Sequence, residues 1–385
     1  MAKKKHGKGR KVLFAVEIII LILFIGCLVA YGQINSKLNK IQTQELDLNK
    51  VQMNNVDSSL SGYLNIALFA IDSRGEGSDY SAENSDTIIV ASINNDTKQV
   101  KLTSVYRDTL LDVGEGSYQK ANAAYAYGGP EQALSMLNTN LDLQLTEYAT
   151  VDFNALATTI DLLGGLDVPL SYAEIVFMND YCIETSEVTG KDYTPIELPA
   201  EKPEDEDADL GTYHLNGVQA TSYCRIRYTA GLDFKRSERQ REIIQMMVAK
   251  AKKSSLSTLF SIMDQVFPMI QTSLDKQEIV SMIPNMLSYE IGETAGFPFD
   301  HYEMKVSQKG DVVVPVTLES NVQQLHEFLF DDSSYTPSVE VQDKSSQITS
   351  ITGLGIESVW QIPGYADKVA QQQEQTQQTE TTGTQ

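Results

Sequence analysis

Three apolar segments between residues 64 and 105 decide the fold of this chain. Residues 64–71 read LNIALFAI, residues 87–93 read TIIVASI, and residues 98–105 read KQVKLTSV. The first two are runs typical of buried strands, and the third alternates in polarity as a half-buried strand does. The turn residues 94–97 (NNDT) separate the second segment from the third. The three segments therefore predict adjacent antiparallel strands of one sheet.

This strand order predicts a charged edge of the sheet. Asp72 follows the first strand and Asp86 precedes the second, so antiparallel pairing brings both carboxylates to the same end. The third strand runs back toward that end and is followed by Arg107 and Asp108. We therefore expect Asp72, Asp86 and Arg107 to converge, although they lie far apart in sequence.

A second group of charged residues lies on either side of residue 230. Its members are Arg225, Arg227, Asp233, Arg236 and Arg239. Guanidinium forks match phosphate oxygens bidentately, and Mg²⁺ prefers carboxylate and phosphate oxygens. Both charged groups together suit a pyrophosphate held by a magnesium ion. The alternative from spacing alone is that the arginines pair with surface acids.

Strand and helix patterns alternate along the rest of the chain. The further elements that periodicity and capping predict are a helix over 121–141, a strand over 148–153, a helix capped by Asn154, a helix from Asn216, and a helix over 237–253 capped by Ser237 and Gln240. This alternation predicts an α/β or α+β sandwich, with a central mixed sheet flanked by helices. Residues 180–209 are predicted to form a polar surface loop, which includes the acidic run 204–207.

Two further segments follow residue 253 in this interpretation. Residues 254–332 are predicted to form a helical C-terminal extension, with Asp275 and Glu278 as a capping box. Residues 333–385 are predicted to be a mostly disordered tail, because their end is rich in Gln and Thr.

The N-terminal residues predict a membrane anchor. Residues 1–11 carry six cations and no acid, and residues 12–31 are apolar apart from Glu17. A helix of that length spans about 30 Å, the thickness of a bilayer core. The cation excess predicts a cytoplasmic N-terminus, so residues 32–62 form an extracellular stalk and the rest lies outside the plasma membrane. A cleaved signal peptide, or a lipoprotein site at Cys27, is the alternative.

The net charge of the chain argues against one class of partner, whereas its cysteines leave their pairing open. The formal net charge is −22, and it becomes −28 when the six N-terminal cations are set aside. A chain this acidic is not expected to bind nucleic acid, which is itself a polyanion. Cys182 and Cys224 either pair or remain free thiols, because two cysteines define no framework.

Eight sequence blocks, in order, resemble the LytR-CpsA-Psr family. They are NIALFAIDSR (65–74), SDT (85–87), SVYRD (104–108), KANAAY (120–125), DLLGGLDV (161–168), LNG (215–217), YCRIR (223–227), and DFKR (233–236) with Arg239-Gln240. The resemblance covers residues 63–253, which would form the catalytic domain. A short cationic tail followed by a single membrane span is also the usual layout of this family.

The resemblance implies a transferase reaction outside the plasma membrane. The donor would be a polyprenyl pyrophosphate that carries a wall glycopolymer, such as teichoic acid, capsule or another secondary polymer. The acceptor would be a hydroxyl of peptidoglycan, joined through a phosphodiester. The reaction would depend on Mg²⁺.

The family roles map onto residues of this chain. Asp72 and Asp86 match the acids associated with magnesium, and Asp233 matches an acid that acts as a general base or orients an arginine. The predicted catalytic set is Asp72, Asp86, Arg107 and Asp233. The predicted pyrophosphate-binding set is Arg107, Arg225, Arg227, Arg236, Arg239 and Gln240.

The chain departs from the family pattern at three places. Asn84 stands where the family often has arginine, which removes one phosphate contact. Tyr106 stands in place of a proline and Ala121 in place of an isoleucine, and both are interpreted as packing changes. Two other functions stay open at this point. One is a phosphatase or pyrophosphatase with the same residues, and the other is a noncatalytic envelope-binding or regulatory protein.

Overall fold

The computed structural model of the protein describes residues 32, 36–56, 60, 62–71, 83–229, 232–282 and 288–355. Within these residues, no helix combines the length and apolar character that a membrane crossing requires. The predicted membrane helix over 12–31 lies outside the described residues, as do Asp72 and the end of the predicted tail.

Among the described residues, thirteen strands form one large sheet and three hairpins. They are β1 (Gln42–Thr43), β2 (Tyr63–Ile71), β3 (Ser85–Asn94), β4 (Gln99–Val105), β5 (Leu110–Asp112), β6 (Tyr118–Lys120), β7 (Glu147–Asp152), β8 (Leu166–Ser171), β9 (Asp209–Leu215), β10 (Gln271–Thr272), β11 (Glu290–Phe297), β12 (His301–Val306) and β13 (Gly310–Pro315). The seven-stranded sheet has the order β1-β10-β7-β2-β3-β4-β11. It is a mixed sheet, because β7 and β11 run parallel to their neighbours β2 and β4 while β2, β3 and β4 pair antiparallel.

Nine α-helices surround this sheet in the described part of the chain. They are α1 (Ala123–Leu141), α2 (Phe153–Leu162), α3 (Tyr172–Thr189), α4 (Gly217–Tyr223), α5 (Leu232–Ala251), α6 (Leu256–Gln265), α7 (Lys276–Met282), α8 (Leu318–Phe330) and α9 (Val339–Thr352). The predicted mixed sheet flanked by helices is therefore confirmed.

Side-chain alternation along β2 divides the core into two layers. Ala67, Phe69 and Ile71 are buried on the face that α1, α8 and α9 cover. Ile66 lies on the other face, with Leu68 only partly buried, and α5 contributes Ile244 to this layer. A third cluster joins α2, α3, α4 and the β8–β9 hairpin. The second face is the less completely covered one, which leaves room for a ligand between the sheet and α5.

Helix starts differ from the prediction at two places. The side chain of Asp152, and not of Asn154, caps α2 by accepting a hydrogen bond from the Ala155 amide at 2.7 Å. Helix α5 begins at Leu232, so Ser237 lies inside the helix and donates to the Asp233 carbonyl. The cap predicted at Asn154 was wrong because Asp152, a residue of equal capping strength, stands two positions earlier. The helix start predicted near Asn216 and the capping box predicted at Asp275 and Glu278 are confirmed.

Several segments expected to be irregular are folded. Helix α3 extends to Thr189 and so occupies the first third of the predicted polar loop, whereas the acidic run 204–207 lies in an irregular segment. Helix α9 lies in the segment predicted as a disordered tail, and it buries Val341 and Ile348. These apolar side chains are too widely spaced to indicate a core helix without knowledge of their partner, α1.

The predicted stalk and the predicted C-terminal extension both contribute residues to the folded domain. Residues 42–43 of the predicted stalk pair with β10, and Leu38 and Val51 are buried against the domain. Strand β11, which belongs to the predicted helical extension, completes the central sheet beside β4. The folded domain is therefore longer at both ends than the motif region 63–253.

A close helix contact explains the glycine of the LNG block. A Cβ added to Gly217 would lie 2.1 Å from the backbone oxygen of Ala157 and 2.8 Å from the Asp161 carboxylate. Helices α4 and α2 approach this closely because no side chain separates them. The Gly217 amide donates a 2.7 Å hydrogen bond to Asp161 across the same contact.

We expect Gly217→Ala to lower the free energy of unfolding by roughly 1–3 kcal/mol, the usual cost of overpacking. Gly292→Ala is the matched control, because its nearest neighbour, at 3.0 Å, is the end of the flexible Gln99 side chain. Urea unfolding of both variants measures the difference. Equal stability of the two variants would show that the α2–α4 contact is not tight.

Candidate active site

The β2–β3–β4 strands bring Asp86 and Arg107 together at one edge. Ile71 at the end of β2 pairs with Ser85 at the start of β3, and Ile89 pairs with Ser104 near the end of β4. The Arg107 guanidinium follows β4 and donates through Nη1 to the Asp86 carboxylate. The predicted convergence of these two residues is thus present in the structure, while Asp72 lies outside the described residues.

Two more arginines join the same edge: Arg227 from the segment before α5, and Arg236 from near the start of α5. Arg227 Nη2 lies 3.6 Å from Asp86 Oδ1, and its Nε lies 3.9 Å from Asp233 Oδ1. Arg236 Nη2 lies 2.9 Å from Asp233 Oδ1 and donates to the backbone oxygen of Asp86 at 3.4 Å. Two carboxylates therefore bridge three guanidinium groups, and we call these five residues the charged ring.

Arg225 borders the charged ring and is held by α3. Its Nη2 lies 2.7 Å from Glu184 and its Nη1 donates to the Thr185 hydroxyl at 2.9 Å. The guanidinium also lies over two aromatic rings, 4.7 Å from the Phe153 centroid and 5.4 Å from the Tyr181 centroid. Cation–π and hydrogen-bond contacts together fix the plane of this side chain. The sequence prediction did not include these four partners.

A cavity of about 290 Å³ connects the charged ring to an apolar groove. Its polar end is lined by Asp86, Arg225, Arg227, Arg236 and Gln240. Its apolar end is lined by Ala70, Val151, Phe153, Leu156, Ile243 and Ile244. The cavity lies between the less covered face of the sheet and helices α2 and α5. Its two ends suit one ligand with an anionic head and a hydrocarbon tail.

Burial changes the ionisation of the charged ring. Loss of hydration raises the pKa of the Asp233 carboxyl above its usual value, although Arg236, Arg227 and Arg107 lie close enough to oppose the shift. Burial lowers the pKa of Arg236 to about 10. Asp233 is therefore a stronger base than an exposed aspartate, and Arg236 remains a cation at neutral pH.

Arg236 also retains hydrogen-bonding capacity. Its side chain is 3% exposed, and its Nε has no hydrogen-bond partner among the residues that the structure describes. A buried donor without a partner is costly, and an anion in the cavity would remove that cost.

Arg239 occupies a different position from the one predicted. The side chain is 1% exposed, its Nε lies 2.9 Å from Glu174, and its Nη1 donates to the Ile226 carbonyl at 3.2 Å. It is absent from the lining of the cavity. The helical period explains this, because Arg236 and Gln240 share the cavity face of α5 while Arg239 turns toward α3. Arg239 therefore anchors the segment that carries Arg225 and Arg227.

The other residues singled out in the sequence have clear contacts. The Gln240 amide donates to the Cys224 carbonyl at 3.3 Å and lines the cavity, as predicted. Asp108 pairs with Lys120 at 2.9 Å. Asn84 is exposed beside Ser85. Cys182 and Cys224 are both buried free thiols.

Tyr106 fits the interpretation as a packing change. The ring lies edge-on to Phe234 with centroids 4.7 Å apart, and a Cβ on Gly296 would lie 1.9 Å from its hydroxyl oxygen. The glycine in β11 therefore makes the space that this tyrosine occupies.

The protein ligands for a metal ion are few. No cluster of three or more His, Cys, Asp or Glu side chains suited to a metal occurs among the described residues. Asp86 is the carboxylate of the charged ring that also lines the cavity. Magnesium sites commonly combine one or two carboxylates with substrate phosphates, so this donor set fits a magnesium ion bound together with a phosphate ligand.

Comparison with known proteins points to the same family that the sequence motifs resemble. A family model described as LytR_cpsA_psr family matches residues 28–308. A teichoic acid transferase of Enterococcus faecalis, polyisoprenyl-teichoic acid–peptidoglycan teichoic acid transferase TagU, is 28% identical over 70% of this chain and 80% of its own length.

Solved structures share the fold. Protein gbs0355 of Streptococcus agalactiae superposes with a TM-score of 0.55 at 24% identity, over 75% of this chain and 93% of that one. The structure of TagT bound to LI-WTA superposes with a TM-score of 0.51 at 16% identity, over 81% of this chain and the whole of that one. The chain belongs to the LytR-CpsA-Psr family.

We expect Arg227→Ala to weaken binding of farnesyl pyrophosphate about 10- to 100-fold, because one charge-assisted hydrogen bond contributes about 1.5–3 kcal/mol. The Arg227 side chain is 40% exposed, so the variant should fold. Lys235→Ala is the matched control, since this cation of α5 lines a different cavity, beside Arg239. Isothermal titration calorimetry measures both. An affinity loss of equal size in the control would contradict the assignment of Arg227.

Proposed function

We propose that this chain transfers a glycopolymer from a polyprenyl-pyrophosphate carrier to peptidoglycan and forms a phosphodiester bond. The observation that carries this proposal is the cavity that joins the charged ring to an apolar groove. Membership of the LytR-CpsA-Psr family and the similarity to a teichoic acid transferase support the substrate class.

The charge of the site suits the proposed donor. Four arginines (Arg107, Arg225, Arg227 and Arg236) lie here against the carboxylates of Asp86, Asp233 and Glu184, which leaves one positive charge. A pyrophosphate esterified at both ends carries one negative charge on each phosphate, so the arginines would offset part of its charge and a bound magnesium ion the remainder. The apolar end of the cavity would cover the first isoprene units of the carrier. The side chains of Phe153, Leu156 and Ile243 would offer hydrocarbon contacts to the tail.

A magnesium ion fits this arrangement. Asp86 and Asp72 would hold it, together with oxygens of the two phosphates, and it would supply charge neutralisation during transfer. Asp72 is assigned from its place directly after β2, whose last residue pairs with Ser85.

Residues of the chain would stabilise the charge on the phosphates and accept the proton of the acceptor hydroxyl. The acceptor hydroxyl attacks the phosphorus next to the glycan, a new P–O bond forms, and the bond to the bridging oxygen breaks. Polyprenyl phosphate leaves, and Arg107 and Arg236 stabilise the charge that develops on the oxygens. The acceptor proton passes to Asp233, whose raised pKa makes it a suitable base.

The proposed location follows from the N-terminal sequence and from the family. The apolar run 12–31, with cations on its amino side, would form a single-pass anchor in the plasma membrane with the domain outside. Donor and acceptor in this reaction meet at that surface, which suits an anchored enzyme.

The direct test is an assay with the full chain in nanodiscs. A lipid-pyrophosphate-linked glycan, peptidoglycan oligomers and Mg²⁺ are supplied, and the products are read by mass spectrometry. We expect a phosphodiester-linked conjugate that is lost on chelation and at least 1,000-fold reduced in Arg107→Ala. Lys235→Ala should retain activity. Full turnover by Arg107→Ala would contradict the site.

The same assay separates the two other candidate functions. Free phosphorylated glycan without a conjugate would favour a phosphatase or pyrophosphatase, which uses water as the acceptor. Absence of turnover would favour a noncatalytic envelope protein. In that case Asn84→Arg, which restores the arginine common in the family, should produce activity.

The raised pKa of Asp233 leads us to expect that kcat/KM depends on pH. As the pH falls through the raised pKa of Asp233, the carboxylate takes up a proton and no longer accepts one from the hydroxyl. We expect kcat/KM to fall on the acid side at a higher pH than an ordinary aspartate would cause. We expect Asp233→Asn to have low activity and to lack this limb. An unchanged acid limb in that variant would exclude Asp233 as the base.

A further inference from the structure

An exposed aromatic side chain stands beside the charged ring. Tyr228 follows Arg227 directly and is 69% exposed, so at least one face of its aromatic ring is open to solvent. The backbone on both sides of it is fixed, because the buried Arg239 donates to the Ile226 carbonyl at 3.2 Å and to the Thr229 hydroxyl at 2.5 Å. Tyr228 is therefore displayed by a rigid segment, and a ligand that contacts it would not have to order the backbone.

Helix α3 adds two more aromatic side chains to this surface. The Phe177 ring centroid lies 6.0 Å from that of Tyr228, with the two planes tilted by 43°. Tyr181, one helical turn further on, lines the cavity and lies under the Arg225 guanidinium. Burial raises the pKa of the Tyr181 hydroxyl, and the neighbouring Tyr228 hydroxyl adds to that shift. Phe177, Tyr181 and Tyr228 thus form one surface at the charged end of the cavity, which we call the aromatic rim.

Two carboxylates alternate with the aromatic side chains along α3. Four residues share one face of this helix because they follow its three- and four-residue spacing: Phe177, Asp180, Tyr181 and Glu184. Asp180 is exposed, and the Glu184 side chain is 40% exposed while it pairs with Arg225. An ionised carboxylate has about four acceptor sites, so each of the two can accept further hydrogen bonds from a ligand.

This combination of groups selects a chemical class of ligand. The carboxylates disfavour another phosphate at the rim, since like charges repel. The face of an aromatic ring carries negative charge, which attracts the weakly positive C–H bonds of a saturated ring. Hydroxyl groups on the same ligand would donate charge-assisted hydrogen bonds to the carboxylates. A neutral pyranose has both features, because C–H bonds cover its faces and hydroxyls surround its edge.

We propose that the aromatic rim binds a neutral pyranose next to the reacting phosphate, with Tyr228 stacked on its C–H face and Glu184 accepting from its hydroxyls. This inference rests on the proposed function, in which sugars lie on both sides of the reacting phosphorus. Such a sugar comes either from the donor, where it is attached to the pyrophosphate, or from the acceptor, where it carries the attacking hydroxyl. A lipid pyrophosphate without a sugar would fill the cavity and leave the rim empty.

The test measures binding to the full chain in nanodiscs by isothermal titration calorimetry. Three ligands are supplied separately: farnesyl pyrophosphate, farnesyl-pyrophosphoryl-N-acetylglucosamine, and a peptidoglycan tetrasaccharide without peptides. Both lipid ligands carry a methylene group in place of the bridging oxygen, so that neither transfer nor hydrolysis occurs. Tyr127→Ala is the matched control for Tyr228→Ala, because Tyr127 is a tyrosine of α1 that is 64% exposed and does not line the cavity.

We expect Tyr228→Ala to weaken binding of a sugar-bearing ligand about 3- to 10-fold, the size typical of one aromatic contact. Farnesyl pyrophosphate should bind equally well to every variant, which also shows that the variants are folded. Tyr228→Phe keeps the aromatic ring and should retain the affinity of the unchanged chain. A loss for the glycosylated lipid would assign the rim to the donor sugar, and a loss for the tetrasaccharide would assign it to the acceptor.

Three results would overturn the inference. The first is unchanged affinity of Tyr228→Ala for both sugar-bearing ligands. The second is an equal loss for the lipid without a sugar, which would show that Tyr228 acts on the pyrophosphate. The third is an equal loss in Tyr127→Ala. None of these measurements needs turnover, so the absence of a conjugate in the transferase assay contradicts the proposed function, whereas unchanged affinities contradict the rim alone.

Discussion

The charged ring can form only because carboxylates offset the repulsion among its guanidinium groups. Arg107, Arg227 and Arg236 lie within reach of each other, and Asp86 and Asp233 hold them by bridging contacts. Three strands and one long helix are needed to bring these residues together, because Asp86 opens β3, Arg107 follows β4, and Arg236 lies on α5. The buried pair of Arg239 and Glu174 then fixes the segment that carries Arg225 and Arg227. A fold that positioned any one element differently would separate these charges.

The same geometry links the site to a lipid-borne substrate. The sheet face next to α5 is covered less than the opposite face, which three helices pack against. The cavity therefore has an apolar wall that continues from the charged ring, and one ligand can satisfy both environments. This combination is not expected of a site that reads a soluble phosphate alone, for which an apolar extension would have no use. It also accounts for the strongly apolar strands that first identified the sheet.

Much of this arrangement could be predicted from sequence, and the rest could not, for physical reasons. The strands β2, β3 and β4 and the meeting of Asp86 with Arg107 follow from side-chain alternation and tight turns, which are local signals. The place of Arg239 depends on which face of α5 meets the cavity, and that face is set by contacts with α3 that lie far away in sequence. The partners of Arg225, such as Glu184, come from a segment predicted as loop. Helix α9 and strand β11 are stabilised by contacts distant in sequence, which periodicity alone does not reveal.

The most direct test of the central claim is photo-crosslinking with a farnesyl pyrophosphate that carries a diazirine on its first isoprene unit. The claim is that one cavity holds the pyrophosphate at the charged ring and the hydrocarbon beside α2 and α5. Labelled peptides are identified by mass spectrometry, with and without excess inorganic pyrophosphate as competitor. We expect labels at Leu156, Ile243 or Ile244 that the competitor suppresses. Labels confined to other surfaces, or labels at these residues that pyrophosphate does not affect, would contradict it.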